Sequence, residues 1–191
     1  MKKVAITLLC ATVLAVALVG CGNTQAASSA GGAAASGAGT STSAAQVGMA
    51  NPWSDVASAQ EAAEGAGFDN FVLPENGTMF GNGSFDIGQY RCMDGIAQAE
   101  GNLGAAVIMI RKGTGGEPDI SGDYNEYAHQ WTVDANGIEV ACSGNEEGRA
   151  TKSLWSADGY EYCILATAQG DDPMDFGLEE ADLITLVNTI K

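Results

Sequence analysis

One histidine, His129, stands in the whole chain of 191 residues, and only 8 lysines and arginines face 24 aspartates and glutamates. A lone imidazole restricts serine- or cysteine-nucleophile schemes to a single base, and no nucleophile stands at a motif spacing from it. Beside Trp131 and ahead of a turn signal, His129 reads as a strand-edge residue. The shortage of cations excludes nucleic acid as a partner, since phosphate binding needs a basic patch and Arg91, Arg111, Lys112, Arg149, Lys152 and Lys191 are few and scattered. No His or Cys pair has zinc spacing, because Cys92, Cys142 and Cys163 stand far apart without a CxxC. The glycines of "GTGG" at 113–116 are followed by Glu117 and Pro118, where a phosphate loop needs Lys and Ser or Thr. The expectation is no catalytic residue, no metal, no cofactor and no enzyme activity.

Long apolar runs are also missing, with one exception. After Lys2 and Lys3, residues 4–20 carry no charge and are rich in Ala, Val and Leu. That is the length of a secretory leader and short for a spanning helix of roughly 20 residues. The run closes on Leu18, Val19, Gly20 and Cys21, which resemble the bacterial lipobox. The resemblance implies that residues 1–20 are a lipoprotein signal peptide and that Cys21 is lipidated and becomes the mature N-terminus. Buried acyl CH₂ groups contribute about 0.8 kcal/mol each, so two chains anchor stably. The implied location is extracytoplasmic, with the membrane as a partner through lipid on Cys21. Cys10 leaves with the leader.

Residues 21–48 hold Cys21 and an uncharged Ala/Gly/Ser-rich stretch that cannot bury enough surface to order itself, so they read as a disordered tether. Residues 49–191 bring aromatics, paired charges and turn signals, and are expected to form a single domain. With Lys2 and Lys3 removed, 6 basic residues remain against 24 acidic ones, a balance of −18 that favours a solvated acidic surface.

The domain is expected to be α+β: an antiparallel, curved meander with a short N-terminal helix and an amphipathic C-terminal helix on one face. "SAQEAAEGAGF" offers a capping box, Ser58 with Glu61, then Gly65 and Gly67 as stop signals, for a helix near 59–65. "GLEEADLITLVNTIK" places acids first and puts Leu183, Leu186, Val187 and Ile190 on one stripe. Asp94-Gly95, Asn136-Gly137 and Asp158-Gly159 are hairpin signals. They set Val133 opposite Val140, Trp131 opposite Cys142 and Trp155 opposite Tyr162; a four-residue loop at 145–148 would add Cys142 opposite Thr151. "AAVIMIRK" from Ala105 is apolar on both faces and reads as a central strand. In this register Cys142 is a buried free thiol and Cys163 points to the opposite face, which disfavours a bond between them. Cys92 with Cys163 stays open as a pair.

"DISGDYNEY" at 119–127 spaces Asp119, Ser121, Asp123 and Asn125 like calcium ligands, but Tyr124 stands where the loop needs Gly and Gln130 where it needs a bidentate carboxylate. It reads as an acidic loop whose Tyr124 and Tyr127 pack back on the sheet. "GDDPMD" at 170–175 reads as a solvated loop. "NGT" at 76–78 and "NGS" at 82–84 read as turns and not as glycosylation sites.

"NPW" at 51–53, "GF" at 67–68, "DISGDYNEY", "NGIEV" at 136–140 and the spaced Trp155, Gly159, Tyr160, Tyr162 and Ile164 resemble an uncharacterised domain family. It occurs in Gram-positive cell-surface lipoproteins and anti-sigma-factor C-terminal regions. The resemblance implies a surface location and a curved sheet with helices, and it brings no catalytic residues. The expected function is a non-enzymatic binding or sensing module for an unidentified envelope ligand or protein. The alternative is a carrier or sensor of an apolar ligand between sheet and helices, and an envelope hydrolase using paired carboxylates ranks below both.

Overall fold

Strand β1 (Ser54–Val56) leads through Ser58 into helix α1 (Ala59–Ala66). The computed structural model describes residues 51–168 and 176–191, which belong to one compact unit, Val47–Lys191. Ser58 Oγ accepts the Glu61 N–H, as a capping box requires, but Glu61 reaches past Ser58 to the Ala57 N–H at 3.0 Å. Gly67 ends the helix at φ +85°, with N–H bonds from Gly67 to Glu64 and from Phe68 to Ala63. This is a Schellman stop.

The chain then runs through β2 (Thr78–Phe80), β3 (Gly83–Met93), β4 (Ile96–Leu103) and β5 (Ala106–Thr114). A long loop carries it to β6 (His129–Asp134), β7 (Glu139–Gly144), β8 (Arg149–Ala150), β9 (Lys152–Ala157) and β10 (Tyr160–Ala168). β11 (Leu178–Glu179) and α2 (Glu180–Thr189) follow. The fold is α+β, and its main sheet is antiparallel in the order β1-β3-β4-β5-β10-β9-β7-β6, with β2 beside β3. Two meanders compose it. The first ends on β5, the second begins at the far edge, and β10 returns to pair with β5 along nine residues.

All three expected turns form. Asn136 and Asp158 take φ +58° and +54° and are followed by Gly137 and Gly159 at +92° and +83°, the type I′ pattern. At Asp94-Gly95 only the glycine has positive φ. Val133 faces Val140, Trp131 faces Cys142 and Trp155 faces Tyr162 as expected. The next register is corrected: Cys142 faces Ser153, not Thr151. The two extra residues belong to β8, which leaves the main sheet to pair with β11. Its approach requires glycine at 144, where a Cβ would stand 2.1 Å from the Arg149 carbonyl oxygen. A slip of two leaves every side chain on its expected face.

Both helices cover one face. Ala62, Ala63 and Ala66 of α1 and Leu183, Leu186 and Val187 of α2 join Phe85, Ile108, Ile110, Val140, Trp155 and Ile164 in one core. Burying Leu183, Leu186, Val187 and Ile190 stabilises the fold by roughly 6–12 kcal/mol as an upper bound, at about 1.5–3 kcal/mol each. β5 is central, yet its second face is only partly covered, leaving Val107 37 % exposed. The end of the chain is tied back: Val72 and Lys191 exchange backbone bonds of 2.8 and 3.2 Å. Among the described residues no helix is long and apolar enough to cross a membrane.

Candidate functional site

The sheet face away from the helices carries the polar constellation. Register places Arg91, Gln98, Arg111, Cys163 and Leu154 in one row across five strands, and Glu100, Met109, Leu165 and Lys152 in the next. Over these rows lies the connection between β5 and β6, which holds "DISGDYNEY". Arg111 donates from Nη1 to the carbonyls of Ile120 and Ser121, both at 2.7 Å, and from Nε to Gln98 at 2.6 Å. The Trp53 ring centroid lies 5.1 Å from its guanidinium carbon. Ile120 and Ser121 are buried beneath.

Lys152 makes the second attachment. Its ammonium stands 3.1 Å from Asp119 Oδ2 and 3.2 Å from the Asp123 carbonyl oxygen, with Asp123 Oδ2 at 3.9 Å. Asp119 Oδ1 accepts the Ser121 N–H at 2.9 Å, and the Tyr127 hydroxyl donates to Asp123 Oδ2. Burial would raise the Asp119 carboxyl, but the bonds from Ser121 and Lys152 outweigh it and hold the group below its ordinary 3.8. Burial pushes the Tyr127 phenol well up, and the Asp123 bond adds to it. The lysine ammonium thus stands against two of the four spaced residues, Asp119 and Asp123. No cluster of three or more His, Cys, Asp or Glu among the described residues is arranged to hold a metal. The expectation for the tyrosines holds for Tyr127 alone, since Tyr124 is 96 % exposed.

Under the loop Cys163 is fully buried, and burial drives its thiol far above the ordinary 9.0 despite the nearby Arg111. Burial favours its neutral form, as in a structural cysteine. Cys92 lies on the helix-covered face, so the sheet separates it from Cys163, and Cys92, Cys142 and Cys163 are all free thiols. The open pairing of Cys92 with Cys163 does not form.

Compared with known protein families, curated proteins and solved structures, the chain matches none of them. The site is therefore read from its own geometry.

On the helix side, Lys112 is a buried lysine to which the sequence reading assigned no role. Its Nζ donates to the Asn70 carbonyl at 2.8 Å and to Asn70 Oδ1 at 3.1 Å, and lies 4.2 Å from the Tyr160 ring centroid, with Phe68 and Tyr162 near. Burial lowers its pKa, while Asp158 and Asp69 oppose the shift. The ring quadrupoles and carbonyl replace its hydration. The sequence signal was available: an alternating strand places Lys112 in the same file as Ile108 and Ile110.

His129 opens β6, exposed on the outermost strand, as expected. Asn76-Gly77 lies in a turn, whereas of 82–84 only Asn82 does, with Gly81, because Gly83 and Ser84 open β3; Asn76 does more than turn. Its side chain bonds both the N–H and the C=O of Ile87, at 2.8 and 3.0 Å, beside the irregularity in β3. Cys21, the leader, the tether and "GDDPMD" lie outside the described residues. Open grooves mark the surface, one of about 580 Å³ near Phe71, Leu73 and Tyr90 and one of about 380 Å³ beside Thr114, Gly115 and Gly116.

Proposed function

We propose that this chain is a non-enzymatic binding or sensing module, held outside the cytoplasmic membrane by lipid on Cys21. The anchor reading is supported by Lys2 and Lys3, the uncharged run behind them and the Leu18-Val19-Gly20-Cys21 stretch.

The observation that carries the binding reading is the use made of the cations. Arg91 bonds Asp55, Arg111 and Lys152 fasten the long loop, Lys112 fastens Asn70, and Arg149 bridges Glu146 and Glu179. Each ties one segment to another. Asp119 and Asp123 converge on an ammonium and not on a shared proton. Such a domain presents a rigid acidic surface. A carrier would need space between sheet and helices, where Phe85, Leu103, Ile108, Ile110, Leu183 and Leu186 are fully buried.

The test is in-cell photo-crosslinking of the anchored chain, with Cys21→Ala as control. The expected result is a reproducible crosslinked partner for the anchored chain, with Cys21→Ala released or left as precursor. A chain that crosslinks to nothing and hydrolyses an envelope polymer would overturn the reading.

A further inference from the structure

Strand β6 ends the main sheet, and among the described residues β7 is its only strand neighbour. Which of its backbone groups point outward follows from the turn. Ala135 and Ile138 exchange N–H to O bonds of 2.8 and 3.4 Å, so they are a doubly bonded pair. Antiparallel pairs alternate, which makes Val133/Val140, Trp131/Cys142 and His129/Gly144 bonded pairs as well. The N–H and C=O of Gln130, Thr132 and Asp134 are left pointing away from β7. All three residues are exposed.

The usual devices that protect an edge are mostly missing from β6. It is six residues long, has no Pro, Lys or Arg, and is rich in β-formers; the opposite edge, β1, has three residues. What guards it is negative charge. Asp134 lies on the strand, Glu139 pairs opposite it, Glu126 precedes it, and all are exposed. Five of the six lysines and arginines in the described residues are engaged within the domain, leaving the terminal Lys191. A second copy would bring like charge to like charge.

We propose that the β6 edge is the docking surface, and that it takes an extended basic segment as an added strand. The inference rests on the binding-module reading and names its partner class. The incoming backbone would bond Gln130, Thr132 and Asp134, with cationic side chains on the side of those three residues and apolar ones on the side of Trp131 and Val133.

The experiment uses the full chain in neutral detergent micelles and a capped seven-residue peptide of alternating Lys and Val. Its controls are the Glu–Val counterpart and a Lys–Val peptide N-methylated at alternate residues. The Lys–Val peptide should bind at least about tenfold tighter than either, and added salt should weaken it. Thr132→Pro removes an outward N–H that β7 does not use, so it should keep the circular dichroism spectrum and lose binding by about tenfold or more. Should that variant unfold, Asp134→Lys serves instead and should reverse the preference between the two charged peptides.

Equal binding by the N-methylated peptide or by folded Thr132→Pro would overturn strand addition. Self-association of the wild type that Thr132→Pro abolishes would assign the edge to a second copy and overturn the basic partner. An envelope crosslink kept by Thr132→Pro would remove the edge and leave the binding reading standing. Absence of any crosslink in both chains would remove the reading itself.

Discussion

Lys152 Nζ lies 3.1 Å from Asp119 Oδ2, joining β9 to a loop 33 residues earlier. The lysine side chain is 13 % exposed and the aspartate 42 %. The pair thus stands between an exposed bridge, worth about 0–1 kcal/mol, and a buried one, whose breakage costs about 3–5. Lys152→Met should lower stability by about 1–2 kcal/mol in urea unfolding and make the 115–128 segment sensitive to limited proteolysis. Unchanged proteolysis would show that Arg111 alone holds the loop.

The same pair sets an acid dependence. Asp119 is held below its ordinary 3.8, so its ionised form stabilises the folded chain above that pH. The contribution is lost as pH falls through the lowered folded value. Wild type and Asp119→Asn should differ in melting temperature at neutral pH and converge in strong acid.

Asp182, buried in the first turn of α2, accepts the N–H groups of Gly81 and Asn82 at 2.9 and 3.0 Å. It fixes the β2–β3 turn to the last helix. Asp182→Ala leaves both donors without that acceptor and should cost about 3 kcal/mol, with Asp182→Asn recovering part of it. Chemical denaturation of the three chains measures both.

Gly101 of β4 lies opposite Ile87 of β3. A Cβ there would stand 2.1 Å from the Asp86 carbonyl oxygen and 2.6 Å from the Ile87 Cα, both backbone atoms that cannot swing aside. Gly101→Ala should destabilise by about 3 kcal/mol or prevent folding. Gly88→Ala, where a Cβ meets nothing within 4 Å, is the control and should be tolerated.

The buried thiols predict alkaline behaviour. Burial pushes Cys142 up to about 11 from 9.0, the Ser153 hydrogen bond partly opposing it. An unfolded thiol ionises first, so stability falls as pH rises between about 9 and 11, by roughly 3 kcal/mol for a shift of that size. Cys142→Ala should make that part of the profile shallower, with Cys163, Tyr127 and Tyr162, also raised by burial, keeping the rest of the slope. Native labelling followed by peptide mapping should find Cys92, Cys142 and Cys163 unmodified, and denaturant should expose all three.

Much of the fold was legible because its signals are local. The Ser58 cap, the Gly67 stop and the type I′ turns at Asn136 and Asp158 are decided within a few residues. Period-two alternation then put Val133, Val140, Cys142, Trp155, Tyr162 and Ile164 on the covered face. A fourth two-residue connection, Gly104-Ala105, was passed over although glycine at its first position, φ +60°, is itself a hairpin signal. The site was half legible. The stretch at 119–127 reads as an acidic loop, but nothing in it says that Lys152 and Arg111 are what hold it to the sheet.

The sequence by itself determined the acidic balance, the span of α1 and the face on which the residues of β6, β7, β9 and β10 lie. Capping and alternation are set within a few residues, so their signals can be read from the local sequence. Only the tertiary structure decided that β10 returns to β5, that β8 leaves the sheet for β11, that Arg111 and Lys152 fasten one loop, and that β6 is left as the long edge. Those outcomes depend on which segments, tens of residues apart, bury most surface together, and that choice is collective over the whole core.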